Sequence, residues 1–251
     1  MGAVGWDAIK PTPSQKHSAK WYSVATAQQS KKRHAVMTYT LYGHQQSGSL
    51  AVEMALAEIG ADYRVCDVDL DADAQRGDQY ASVNPQRKIP ALVTTSGETL
   101  TESVAILLTL DQRHPEATLL PPDAAERAQA LRWLLFVATE IYPVVEINDY
   151  PERFSPTPHM APAVREVART IWRDRWRLVE RQIVGDPYLL MSGFCLTDLY
   201  IAVVSRWAQQ DAWRPQNLPK VERLTAAVAA RAATAPVWSR HQADGAPDAF
   251  G

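Results

Sequence analysis

Two prolines, Pro85 and Pro90, bar a helix from the segment between them, and the residues that follow constrain the fold more than any other part of the chain. The stretch 84–103 reads NPQRKIPALVTTSGETLTES. Ala91-Leu92-Val93 is a short apolar run of the kind a buried strand presents. Thr95-Ser96-Gly97-Glu98 has turn chemistry, and Leu100 follows it. Glu102 and Ser103 stand directly ahead of Val104, Leu107, Leu108 and Leu110, whose spacing predicts a helix that begins there. A proline loop, a strand, a turn and the mouth of a helix are thus brought close together.

Such pieces complement a short peptide that carries a free amino-acid end. With Ile89–Pro90 in cis, the N–H and C=O of Ile89 would face outward and pair with an extended backbone as an added strand does. The helix opening at Ser103 offers unpaired N–H groups and a hydroxyl to a carboxylate. Glu102 offers a partner to an ammonium group. The same order of features also fits a plain turn between two strands and a helix.

The stretch resembles the glutathione-binding segment of the cytosolic glutathione S-transferases of bacterial type, with its NP-x-x-K-[IV]-P-x-L loop and later [ED]-S pair. The resemblance implies that Ile89, ahead of Pro90, pairs its backbone with the cysteinyl part of glutathione. It implies that Glu102 and Ser103 hold the γ-glutamyl end and that Lys88 helps with the glycine end. Arg87 departs from the pattern, because many members carry glycine there, and it either adds a cation near the ligand or faces solvent.

A chain of 251 residues that is 46% hydrophobic is long enough for one large or two ordinary domains and is not wholesale disordered. It has no run of eighteen apolar residues, so no membrane-spanning helix is expected. The formal net charge of −2 gives no broad attraction to nucleic acid or anionic lipid. Cys66 and Cys195 are far apart and form no CxxC pair, so neither a disulfide framework nor a zinc site is expected, and the cytoplasm fits best. Asp67, Asp69, Asp71 and Asp73 alternate but lack the glycine and terminal glutamate of a calcium loop, so they read as a solvated acidic loop.

Residues 1–36 hold six Lys or Arg against the single acid Asp7, and the rest of the chain holds 20 basic and 27 acidic residues. A disordered basic extension on an acidic body is expected, with Met37 an alternative start just ahead of the first strand. Thr38 to Tyr42 reads as that strand, 50–59 as a helix closed by Gly60, and 63–68 as a second strand. His114-Pro115 ends the helix that opens at Ser103, and no strand pattern returns after Pro121-Pro122. The expected fold is therefore an α/β thioredoxin-like domain with a mixed four-stranded sheet over 37–117, a linker over 118–123 and an all-helical domain over 124–243. A frayed tail is expected over 244–251.

In the helical part, Ala124 to Ile141 is expected to be one helix, with Leu131, Leu134, Leu135 and Ala138 toward the core, that Pro143 ends or kinks. A polar loop is expected from Tyr150 to Pro162. Over 164–183 the buried candidates are Val167, Ile171, Leu178 and Val179, and the Trp172/Trp176 pair reads as core. Gly193-Phe-Cys-Leu-Thr-Asp resembles the family's [ST]-x-x-D capping box, with Cys195 at the cap and Asp198 in place. Pro219 and Pro236 bracket the last expected helix.

Glutathione, as co-substrate, needs its thiol pKa lowered from about 8.5 to supply thiolate at neutral pH. A hydroxyl and a helix N-terminus are the usual tools. Both are found in Tyr42-Gly-His-Gln-Gln-Ser-Gly-Ser49, where family members place a Tyr, Ser or Cys. Gly48 falls where the bacterial cysteine type has its Cys, so a mixed disulfide is not expected. The candidate hydroxyls are Ser47, then Ser49, then Tyr42. Tyr142 and Tyr150, with Trp133 or Phe136 nearby, are the candidates for the electrophile pocket. What the resemblance implies is a metal-free, homodimeric detoxifying transferase acting on a small electrophile. A glutathione-binding or scaffolding relative without turnover is the alternative.

Overall fold

The structure, a computed structural model, describes residues 38–207 and 213–242. The basic extension expected over 1–36 and the frayed tail expected over 244–251 lie outside the described residues.

Strand β1 (Tyr39–Gly43) leads into helix α1 (Ser49–Glu58) and then into β2 (Tyr63–Asp67), which returns parallel to β1. A four-residue helix, α2 (Asp78–Ala81), precedes the proline loop, after which β3 (Ala91–Val93), β4 (Thr99–Thr101) and helix α3 (Ser103–Arg113) follow. The sheet order is β2-β1-β3-β4, with β1/β3 and β3/β4 antiparallel, so it is mixed and four-stranded. Leu41 faces Leu92 across the β1/β3 ladder, and both are fully buried. Under them lie Leu50, Met54 and Leu56 of α1 and Ile106, Leu107 and Leu110 of α3.

The remainder is helical. Helix α4 (Ala124–Phe136) runs through a widened π turn (Val137–Ile141) into α5 (Tyr142–Asp149). Pro143 lacks an N–H and its ring would strike the preceding turn, and a π turn just ahead of it relieves both. The path therefore neither ends nor breaks at Pro143. Its core face is Ala130, Trp133, Leu134, Val137 and Ile141, whereas Leu135 is 48% exposed.

Helix α6 (Ala161–Gln182) begins inside the expected loop, whose remaining residues include two short 3₁₀ turns. Its buried face also differs from the expected one. Ala168, Trp172, Trp176 and Val179 point inward, while Val167 is 60% exposed and Ile171 and Leu178 lie at the surface. The two tryptophans, with ring centroids 5.7 Å apart, offer the larger area to bury and set the rotation of the helix.

Helix α7 (Leu196–Val204) is buried on all sides and packs against α1. At its start, Asp198 accepts from the N–H of Cys195 at 2.7 Å and of Leu189 at 2.8 Å. Burial nevertheless pushes its carboxyl up to about 6. Helices α8 (Trp213–Asn217), α9 (Pro219–Ala230) and α10 (Ala235–Arg240) complete the described chain. Pro236 thus starts a further short helix and does not close α9, because proline fits a first turn.

Candidate functional site

A cleft of about 270 Å³ opens between the proline loop, the start of α3 and the α4–α5 junction. Lys88, Ile89, Pro90, Glu102 and Ser103 line one side. Tyr142, Pro143 and Glu146 face them from α5, and Asn84 and Gln86 complete the rim.

The proline loop is held by its own neighbours. The carbonyl of Lys88 accepts from the Asn84 side-chain amide at 2.6 Å and from the Tyr80 hydroxyl at 2.8 Å. Asn84 Oδ1 in turn accepts from the Gln86 N–H at 3.0 Å. The Ile89–Pro90 peptide bond is cis. Among the described residues, neither the N–H nor the C=O of Ile89 makes a hydrogen bond, so this edge is open to an incoming backbone. Arg87 sits at φ +57°, where glycine is at ease. Its guanidinium lies at the exposed surface, outside the cleft, on the Arg76 carbonyl and Asp78, so of the two expectations the solvent-facing one holds.

At the mouth of α3, Glu102 takes a left-handed φ of +64° with ψ 110°, a sparsely populated combination for a residue with a side chain. Such strain persists where the surroundings over-determine it, often at ligand clamps. Glu102 is exposed toward the cleft, and no side chain caps the first N–H groups of α3. Ser103 is buried, and its hydroxyl lies 3.1 Å from the hydroxyl of Tyr200 on α7. Sequence periodicity marks Tyr200 only as core, so this pairing across 97 positions gives no sequence signal. On the far rim Lys88 Nζ is 3.5 Å from Glu146, which also meets Arg153 at 3.4 Å. These are exposed pairs, easily exchanged for another anion.

The loop between β1 and α1 is built differently. Ser47 Oγ donates to the His44 carbonyl at 2.7 Å and lies 2.8 Å from Ser49 Oγ. Ser49 Oγ also reaches the His44 carbonyl, at 3.0 Å, and accepts from the His44 N–H at 3.2 Å. Ser49 is buried against Gly43, where a side chain would overlap it. His44 holds Asp67 through Nδ1 at 2.9 Å. Tyr42 packs its ring against Tyr80, 6.0 Å between centroids. None of Tyr42, Ser47 or Ser49 lines the cleft. Tyr150 does not line it either: its exposed ring carries the Arg153 guanidinium 3.9 Å above it. Trp133 and Phe136 pack edge to face with each other, 5.2 Å apart.

Two contacts from distant parts of the chain fix the tip of this loop. Gln46, at φ +57°, gives its N–H to His241 Nδ1 at 3.1 Å and takes the indole N–H of Trp207 on its carbonyl at 3.0 Å. His241 Nε2 meets the buried carboxylate of Glu53 at 2.8 Å, and Arg240 reaches the same carboxylate. Burial alone would raise the Glu53 carboxyl, but the hydrogen bonds from His241 and Arg240 outweigh it and hold the carboxyl below its ordinary value.

Residues 37–112 match the family model for the glutathione S-transferase N-terminal domain. The glutathione S-transferase GstA of Escherichia coli O157:H7 is 31% identical over 166 residues, 64% of this chain and 77% of that protein. The chain belongs to the glutathione S-transferase family. The maleylacetoacetate isomerase of Pseudomonas aeruginosa is 28% identical over 82% of this chain and 97% of its own length. Among solved structures, a glutathione transferase homologue from Sulfitobacter with bound glutathione is 26% identical and superposes with a TM-score of 0.76, covering 81% of this chain and 98% of that one.

Proposed function

We propose that this family member binds glutathione in the cleft between the proline loop and α3 and activates its thiol for attack on a small hydrophobic electrophile. The observation that carries the reading is the unpaired backbone edge of Ile89 beside the uncapped start of α3 and the strained, cleft-facing Glu102. An extended tripeptide pairs with the Ile89 edge as an added strand. Its γ-glutamyl carboxylate is received by the α3 N–H groups and the Ser103 hydroxyl, and its ammonium by Glu102. Lys88 exchanges Glu146 for the glycine carboxylate. Holding the thiol in place in this way removes much of the entropic cost of the encounter with the electrophile.

We further infer that residues 37–117 and 124–243 act as its two domains, that it acts in the cytoplasm to remove reactive electrophiles, and that it does so as a homodimer. The exposed apolar residues Leu135 and Val167 support the last point. Among the described residues no helix is long and apolar enough to cross a membrane.

A second reading, binding without turnover, is favoured by the loop serines, whose hydroxyls are engaged within the loop. Calorimetric titration of the full chain with glutathione, followed by conjugation assays on a panel of activated aryl halides and cis-alkenes, separates the two. Micromolar to millimolar binding with turnover is expected, and Ser103→Ala should weaken binding roughly tenfold, the loss of one charge-assisted hydrogen bond. Binding without turnover on any panel member would favour the second reading, and absence of binding would overturn both.

A further inference from the structure

Gly48 has an ordinary right-handed backbone, φ −61° and ψ −14°, so its conformation does not call for glycine. Space does. A Cβ at this position would lie 2.9 Å from the hydroxyl oxygen of Tyr142 and 3.7 Å from the ring of Trp207. The phenol of α5 thus reaches across the cleft and stops over the first residue of the α1 opening. It is delivered there by the π turn over Val137–Ile141, and its ring is braced by Trp207 at 4.8 Å and Tyr200 at 6.5 Å between centroids.

Among the described residues that line the cleft, two carry a hydroxyl, Ser103 and Tyr142. Ser103 meets Tyr200 and, in the binding mode proposed above, gives its proton to the γ-glutamyl carboxylate. No hydrogen bond to the Tyr142 hydroxyl is found among the described residues. The loop serines leave no proton over: each hydroxyl has one, and both are used between His44 O and the Ser47–Ser49 contact. We propose that the hydroxyl of Tyr142, reaching over Gly48, is the hydrogen-bond donor to the sulfur of bound glutathione. The inference rests on the binding mode proposed above, in which pairing along Ile89 places the cysteinyl side chain between that edge and the start of α1.

The chemistry fits a donor that keeps its proton. Burial, with the charges of Glu102 and Glu146 adding to it, pushes the Tyr142 phenol up to about 12, so it stays an O–H at neutral pH. The thiol proton passes to solvent, the S–H bond breaks, and the phenol O–H bond remains intact while it points at the thiolate. A hydrogen bond to the charged form lowers the pKa of the group that carries the charge.

The test is an ultraviolet titration of the thiolate of glutathione bound to the full chain. In the unaltered protein the bound thiol should titrate below its free value of about 8.5. Tyr142→Phe should move it back by about one unit, roughly tenfold in thiolate at neutral pH, with the glutathione dissociation constant changed by less than about threefold. Ser47→Ala should move it less. Gly48→Ala, which pushes a methyl group onto the phenol, should shift it in the same direction as Tyr142→Phe and serves if that variant does not fold. The proposal is overturned, with the binding mode intact, if bound thiol titrates at its free value, or if Tyr142→Phe and Gly48→Ala both keep the unaltered titration. If the unaltered protein binds no glutathione, the binding mode falls and the proposal with it.

Discussion

The proline loop lines the cleft and the β1–α1 loop meets it through Gly48 beside Tyr142, yet the two loops are held in opposite ways. The first is fixed by Asn84 and Tyr80, both within eight positions of the Lys88 carbonyl they grip. The second depends at its tip on Trp207 and His241, 161 and 195 positions away from Gln46. A loop fixed by its own neighbours keeps its shape whenever its sequence is kept. A loop pinned from afar keeps its shape only if the helical region is in place.

That contrast can be broken by substitution. The largest effect is expected from His241→Ala, which leaves the Gln46 N–H and one oxygen of the buried Glu53 carboxylate without partners. A loss of about 3 kcal/mol is expected in urea denaturation. Hydrogen exchange should speed up in the β1–α1 loop and not at residues 86–88. Acid should do the same by another route. The Glu53 carboxyl is depressed in the folded chain, so its contribution is present above the unfolded value of about 4.3 and is lost as pH falls through the lower folded value. Exchange measured down that range should therefore show the β1–α1 loop loosening first, and simultaneous loosening of both loops would remove the contrast.

Asn84→Ala tests the other side. It removes two hydrogen bonds inside the proline loop and should cost about 2 kcal/mol, with glutathione affinity falling and the environment of Trp207, read by its fluorescence, unchanged. Trp207→Phe keeps a ring against Tyr142 but deletes the bond to the Gln46 carbonyl, for about 1 kcal/mol. The smallest effect, and the only gain, is expected from Arg87→Gly. Relief of the left-handed backbone, about 1 kcal/mol, is partly offset by loss of the guanidinium contacts and by the greater freedom of glycine in the unfolded chain. A net rise in melting temperature of a degree or two would place the strain at that residue.

The same contrast explains what could be read from the sequence. Pro85, Pro90, the Ala91–Val93 run and the Glu102-Ser103 pair carry their structural meaning within a few residues, so the loop, the strand and the helix mouth were legible. The short strand β4 carried less, since Thr99–Thr101 holds a single apolar residue. Helix rotation was less legible where several faces were apolar. On α6, Val167, Ile171 and Leu178 form as regular a stripe as the buried one, and only the volume of the tryptophans decides between them. The pairing of Ser103 with Tyr200, the grip of Trp207 and His241 on Gln46, and the reach of Tyr142 to Gly48 join positions that have no periodic relation. Ser47 and Ser49 looked like spare hydroxyls because their shared acceptor, the His44 carbonyl, is a main-chain atom that residue types do not reveal.

Gly48 and Tyr142 contend for a single small volume, and that rivalry bears on redesign. A thiol grafted at position 48 would have no room until the ring opposite were trimmed, so a protein engineer seeking disulfide chemistry here must alter both helices together. Conversely, the bare α-carbon is itself a record that the space above it is already taken.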